Sequence, residues 1–106
     1  MPLIRRGNLD INYNFNNLNS IIMRNNPNKV KSAFHRELRG YSHSVRYEHN
    51  WGERPAYYVT VYDFYTFDDD QSEDVTYAFD RICERFNIDR DEIDGDTFRF
   101  LDYNEG

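Results

Sequence analysis

Residues 56–86 read "AYYVTVYDFYTFDDDQSEDVTYAFDRICERF", and the change of rhythm inside that stretch decides the fold. Residues 56–67 are aromatic and β-branched, the composition of a central strand. Further on, Val75, Ala78, Phe79, Ile82, Cys83 and Phe86 recur at the i, i+3, i+4, i+7 spacing of one helix face. The two periods predict a strand ending near Phe67, a turn, and a helix capped by Ser72. Glu73 and Asp74 then sit at the positive end of the helix dipole.

Upstream, "YSHSVRYEH" (41–49) alternates Tyr41, His43, Val45, Tyr47 and His49 against Ser42, Ser44, Arg46 and Glu48. With the turn "NWGERP" it predicts a hairpin to the central strand. Before it, "NPNKVKSAFHRELRG" (26–40) has a capping Asn26, Pro27 in the first turn and Gly40 as a stop. Val30, Phe34 and Leu38 form its apolar stripe, with Ala33 beside them. "NLDINYNF" (8–15) alternates as a half-buried strand, and its Asn8, Asp10, Asn12 and Asn14 face away from the core. Downstream, "NIDRDEIDGD" (87–96) reads as an acidic connector and "TFRFLDY" as the last strand.

The order strand, helix, strand, strand, helix, strand predicts one α+β domain over residues 1–106. It is that of the ferredoxin-like βαββαβ fold, a four-stranded antiparallel sheet with two helices on one face. Right-handed crossovers put the first and third strands at the centre. No internal repeat is apparent.

Aromatic residues make up 17% of the chain, enough to build a core despite a mean hydropathy of -0.94. The start of the chain lacks the long apolar run of a leader, and no run of about 18 apolar residues occurs anywhere. Cys83 is the only cysteine, so neither an intrachain disulfide nor a cysteine-based zinc cluster is available. A cytoplasmic location is expected, that of the host cytoplasm if the protein is viral.

Charge divides sharply along the chain. Residues 1–54 carry nine Lys/Arg against four Asp/Glu, and residues 55–106 carry four against fifteen. Such asymmetry governs partners and association rates rather than fold.

Few of the usual chemical constellations are present. The acidic runs lack the glycine and the closing glutamate of an EF-hand loop, counted from either Asp68 or Asp89. His43 and His49 lie about 20 Å apart along one strand, too far to share a metal ion. Cys83 belongs to the apolar stripe, and no local signature pairs a nucleophile with a base. The expectation is a protein that is not an enzyme and that takes neither cofactor nor metal.

Two surfaces remain as candidates. The first is acidic: Asp68, Asp69, Asp70, Glu73, Asp74, Asp80 and Glu84, then Asp89, Asp91, Glu92, Asp94 and Asp96, with Tyr65, Phe67 and Tyr77 as aromatic anchors. Such a ridge fits a basic surface on another protein, although Arg81 and Arg85 interrupt it. The second is the open sheet face, where Tyr58 and Tyr62 beside Arg46 offer a stacking platform for single-stranded RNA or DNA. The third strand lacks the basic residue and glycines of RNA-recognition motifs, and the net charge of -6 opposes a polyanion. A third expectation is a structural protein that self-associates through a sheet edge.

In size, in the acidity of "DFYTFDDDQSEDVTYAFDRICERFNIDRDEIDGD" and in aromatic content, the chain resembles the small acidic anti-defence proteins of phages and mobile elements. These are the anti-CRISPR and anti-restriction proteins, some of them DNA mimics. The resemblance is one of class and carries no residue roles. It implies a stoichiometric inhibitor, monomer or homodimer, that engages a basic nucleic-acid-binding surface of a host nuclease complex.

Overall fold

The computed structural model describes residues 25–104. The strand expected at residues 8–15 lies outside them. Asn26 opens helix α1 (Pro27–Glu37), its side chain accepting the Asn28 N–H at 2.9 Å. Strands β1 (His43–Glu48) and β2 (Ala56–Val61) form the expected antiparallel hairpin. β2 stops well short of Phe67: Asp63 takes a left-handed conformation (φ 63°), and a single 3₁₀ turn, Phe64–Thr66, follows. Tyr62, Tyr65 and Phe67 therefore lie off the strand.

Helix α2 (Asp69–Phe86) begins four residues before the sequence-predicted start. Its cap is Asp68, not Ser72. The Asp68 carboxylate accepts the Gln71 N–H, and the Gln71 side chain accepts the Asp68 N–H. This capping box satisfies two donors of the first turn that the ladder leaves free. Asp69 and Asp70 occupy the first turn, where the dipole favours them.

The acidic connector expected after α2 is a strand, β3 (Ile88–Asp94), turning through Gly95 (φ 65°) into β4 (Thr97–Asp102). The two-residue loop Gly95-Asp96, closed by the pair Asp94↔Thr97, is a glycine-first hairpin signal, masked by the charge around it. Sheet order is β1-β2-β4-β3, with β2 and β4 paired antiparallel at the centre. A ferredoxin-like sheet has its first strand between those two, and their direct pairing leaves no such slot. The α+β class, the four-stranded antiparallel sheet and the two helices on one face stand; the strand order does not.

The described chain is instead two αββ units. Val30, Ala33, Phe34 and Arg36 of α1 are matched by Val75, Ala78, Phe79 and Arg81 of α2, the same residue at each position. The pairing register repeats as well. His43↔Val61, Ser44↔Thr60 and Val45↔Val59 correspond to Ile88↔Asp102, Asp89↔Leu101 and Arg90↔Phe100. One extra residue, Asp91, bulges β3, after which Arg46↔Tyr58 corresponds to Glu92↔Arg99. Between the units, Tyr57↔Phe100 mirrors Val59↔Phe98 about the central pair Tyr58↔Arg99. This is a pseudo-two-fold axis, and it corrects the expectation of no internal repeat.

One apolar core lies between the sheet and both helices. Val30, Phe34, Val75, Phe79 and Ile82 meet Tyr57, Val59, Val61, Phe98 and Phe100 there. Phe34 and Phe79, equivalent under the pseudo-symmetry, meet edge-on at 6.2 Å. Asp102, 4% exposed, replaces the valine that Val61 supplies in the first unit. Its carboxylate accepts from the Asn25 amide at 3.1 Å and from the Asn104 backbone and side chain, each at 2.8 Å. Both amides also donate to the Phe86 carbonyl, closing the end of α2.

Candidate partner-binding surface

A helix places residues three and four apart on one line. Along α2 that rule aligns Asp70, Glu73, Tyr77, Asp80 and Glu84 on the side opposite Val75, Phe79 and Ile82. All five are exposed, and Tyr77, at the centre, keeps 56% of its surface. Four carboxylates thus flank one aromatic ring on a crest about 21 Å long.

The basic residues of α2 do not interrupt that crest. Arg81 turns toward α1, where its Nε and Nη2 donate to Glu37 Oε1 at 3.1 and 2.7 Å. Arg85 lies 4.8 Å over the Phe86 ring and faces Lys29 and Arg36 across a groove. Tertiary packing draws both guanidiniums to one flank.

The other acidic positions serve the fold. Asp68 caps α2, and Asp69 supports its first turn. Asp74 accepts the Tyr41 hydroxyl at 3.0 Å; partial burial and then that carboxylate hold Tyr41 above its ordinary pKa. Asp91 pairs with Arg99, which Glu92 approaches at 3.6 Å. Asp96 accepts the Asp63 N–H at 3.2 Å. Asp89 and Asp94 line the edge strand β3, where charge discourages pairing with another chain.

Phe67 is half-buried against Tyr41 and Phe64, with ring centroids at 5.4 and 5.5 Å, so it is a packing residue. Tyr65 stands 75% exposed beside the start of α2. Beyond the crest, a groove of about 550 Å³ runs between α2 and β3, with Asp80, Glu84 and Asp89 on its walls and Cys83 below. Burial pushes the Cys83 thiol up to about 11, which disfavours the thiolate at neutral pH.

The open sheet face is less available than its sequence implied. Arg46 lies 4.5 Å over the Tyr58 ring and pairs with Glu48 at 2.7 Å. Tyr62, beyond the strand end, donates to Ser44 Oγ at 3.3 Å. Of the histidines, the close pair is His35 and His43, whose ring nitrogens lie 2.9 Å apart; His43 also contacts the Tyr41 carbonyl at 2.6 Å. That pairing joins a helix to a strand, and strand spacing alone did not contain it.

Fold and surface together define a small α+β domain that carries an acidic, tyrosine-centred helix crest. No protein-family model, curated protein or solved structure matches the chain. Among the described residues, no helix is long and apolar enough to cross a membrane.

Proposed function

We propose that the chain is a non-enzymatic binding protein whose α2 crest engages a basic surface on another protein. The observation that carries this reading is the comparison of α2 with its own counterpart. α1 packs on the same sheet with the same Val, Ala and Phe, yet the corresponding positions along it and just beyond its two ends are Asn25, Asn28, Ser32, His35 and Arg39 where α2 has Asp70, Glu73, Tyr77, Asp80 and Glu84. The fold therefore does not require an acidic crest. What packing leaves open on a solvent face is available for recognition.

Magnitudes define the mode of contact. Four carboxylates over about 21 Å are one per about 5 Å, against one phosphate per about 3.4 Å of a nucleic-acid strand. The crest steers and aligns, and Tyr77 supplies the desolvated anchor that rim charges rarely provide. On the class resemblance, the partner is the nucleic-acid-loading surface of a host nuclease, and the protein an anti-defence inhibitor acting in the host cytoplasm.

The test exchanges the crest for the residues of its counterpart. A partner is first captured from nuclease-treated host lysate. Binding is then compared for the parent and for a variant with Asp70→Asn, Glu73→Asn, Asp80→His and Glu84→Arg. Four exposed charge contacts at about 0.5 kcal/mol each predict a loss of about 30-fold and a flatter salt dependence. A folded variant with unchanged affinity and salt dependence rules the reading out.

A further inference from the structure

Between α1 and the last turn of α2 lies a groove of about 350 Å³ lined by Asn28, Lys29, Ser32, Arg36 and Arg85. Three of the five residues are cations, and the other two bring an amide and a hydroxyl. Among the described residues none that lines it is a carboxylate. Among the described residues none of the three cations forms an ion pair, and like charges gathered on neighbouring turns destabilise a helix pair.

Its chemistry is selective. A lysine ammonium, two guanidinium forks, an amide N–H₂ and a hydroxyl all donate, the set that matches the oxygens of a phosphate. Arg85 is set at the groove by its contact with the Phe86 ring, 4.8 Å from the guanidinium carbon. The pseudo-symmetric counterpart has the opposite sign. There, Glu73 and Asp74 replace Asn28 and Lys29, Tyr77 replaces Ser32, and Arg81 is occupied by Glu37.

We propose that this groove binds phosphate, and specifically the phosphates of a nucleic-acid backbone. The phosphate chemistry rests on the groove alone, and the choice of a nucleic-acid backbone as its source rests on the proposed partner of the crest. A complex that already holds nucleic acid offers both chemistries together: a basic protein surface for the crest and phosphates for the groove.

The experiment uses the full chain and two probes, inorganic pyrophosphate followed by calorimetry and a fluorescent oligothymidylate followed by anisotropy. Salt is held at about 0.1 M, where the Debye length of about 10 Å limits repulsion from the crest carboxylates beyond the last turn of α2. The expected result is binding of both probes, weakened about fivefold for each of Arg36→Ala and Arg85→Ala and unchanged in the charge-matched control Arg54→Ala. Pyrophosphate binding alone, with the same variant dependence, keeps the phosphate site and overturns the backbone as its source. No binding of either probe overturns the proposal, as does oligothymidylate binding that ignores both groove variants and is lost in Tyr58→Ala. Should an arginine variant lose its circular-dichroism spectrum, Lys29→Glu, on the exposed first turn, takes its place with the same expected loss.

Discussion

At the scale of single residues, a buried hydroxyl and a half-buried thiol bear on how the protein meets alkali. Tyr57 is buried, and among the described residues its hydroxyl has no hydrogen-bond partner. Burial, then the nearby Asp102 and Tyr47, raise its pKa far above the usual 10.0. Burial likewise raises Cys83 from 9.0 to about 11. In both cases the folded state keeps a proton that the unfolded chain releases, so between the two pKa values folding binds more protons and stability falls as pH rises. The urea midpoint should be flat from pH 7 to about pH 8.5 and decline above about pH 9, through the window set by Cys83 and then Tyr57. The double variant Tyr57→Phe, Cys83→Ala should flatten that decline, and an identical slope in parent and variant would remove these groups as its cause. Cys83 stood out in the sequence as the only cysteine, whereas Tyr57 did not. Tyr57 is one tyrosine among nine, and only the stacking of α1 on the sheet singles it out.

At the scale of elements, the start of α2 separates what a local pattern contains from what a backbone does. Ser72 followed by acids has the composition of a cap, yet so does Asp68 followed three residues later by Gln71. The earlier cap wins because it adds a turn of hydrogen bonds and seats Asp69 and Asp70 on the dipole. Asp68→Ala should therefore cost about 1 kcal/mol in chemical denaturation, whereas Ser72→Ala should change stability by less than about 0.5 kcal/mol. The reverse ranking would return the cap to Ser72. The same logic explains the missed strand. In "NIDRDEIDGD" only Ile88 is buried, and the other six residues of β3 are exposed, because it is an edge strand that α2 barely covers. A hydrophobic alternation has nothing to register in such a strand, and its charges serve to keep the edge unpaired. Only the Gly95-Asp96 pair announced the turn.

For the whole molecule, the αββ duplication predicts how the chain comes apart. Each unit leaves the inner edge of its second strand unpaired and the apolar side of its hairpin only partly covered by its own helix, and the central β2–β4 pairing together with the contact of Phe34 and Phe79 closes both. A fragment ending in the 3₁₀ turn and one starting at Asp68 should each be largely unfolded by circular dichroism and regain strand and helix signal on mixing. Independent folding of either half would show that the shared core is not what holds the units. The sequence by itself determined the α+β class, both helices with their apolar stripes, the β1–β2 hairpin and the last strand, because those depend on period and on local turn chemistry. It also contained the acidic half of the chain. Strand order, the pseudo-two-fold axis and the separation of crest from groove were decided only by tertiary structure. Arg81 and Arg85 neighbour acids in sequence, but the packing of α1 against α2 gives one to Glu37 and the other to a basic groove. A linear pattern records which charges are present; the geometry of two helices on one sheet decides which of them cancel.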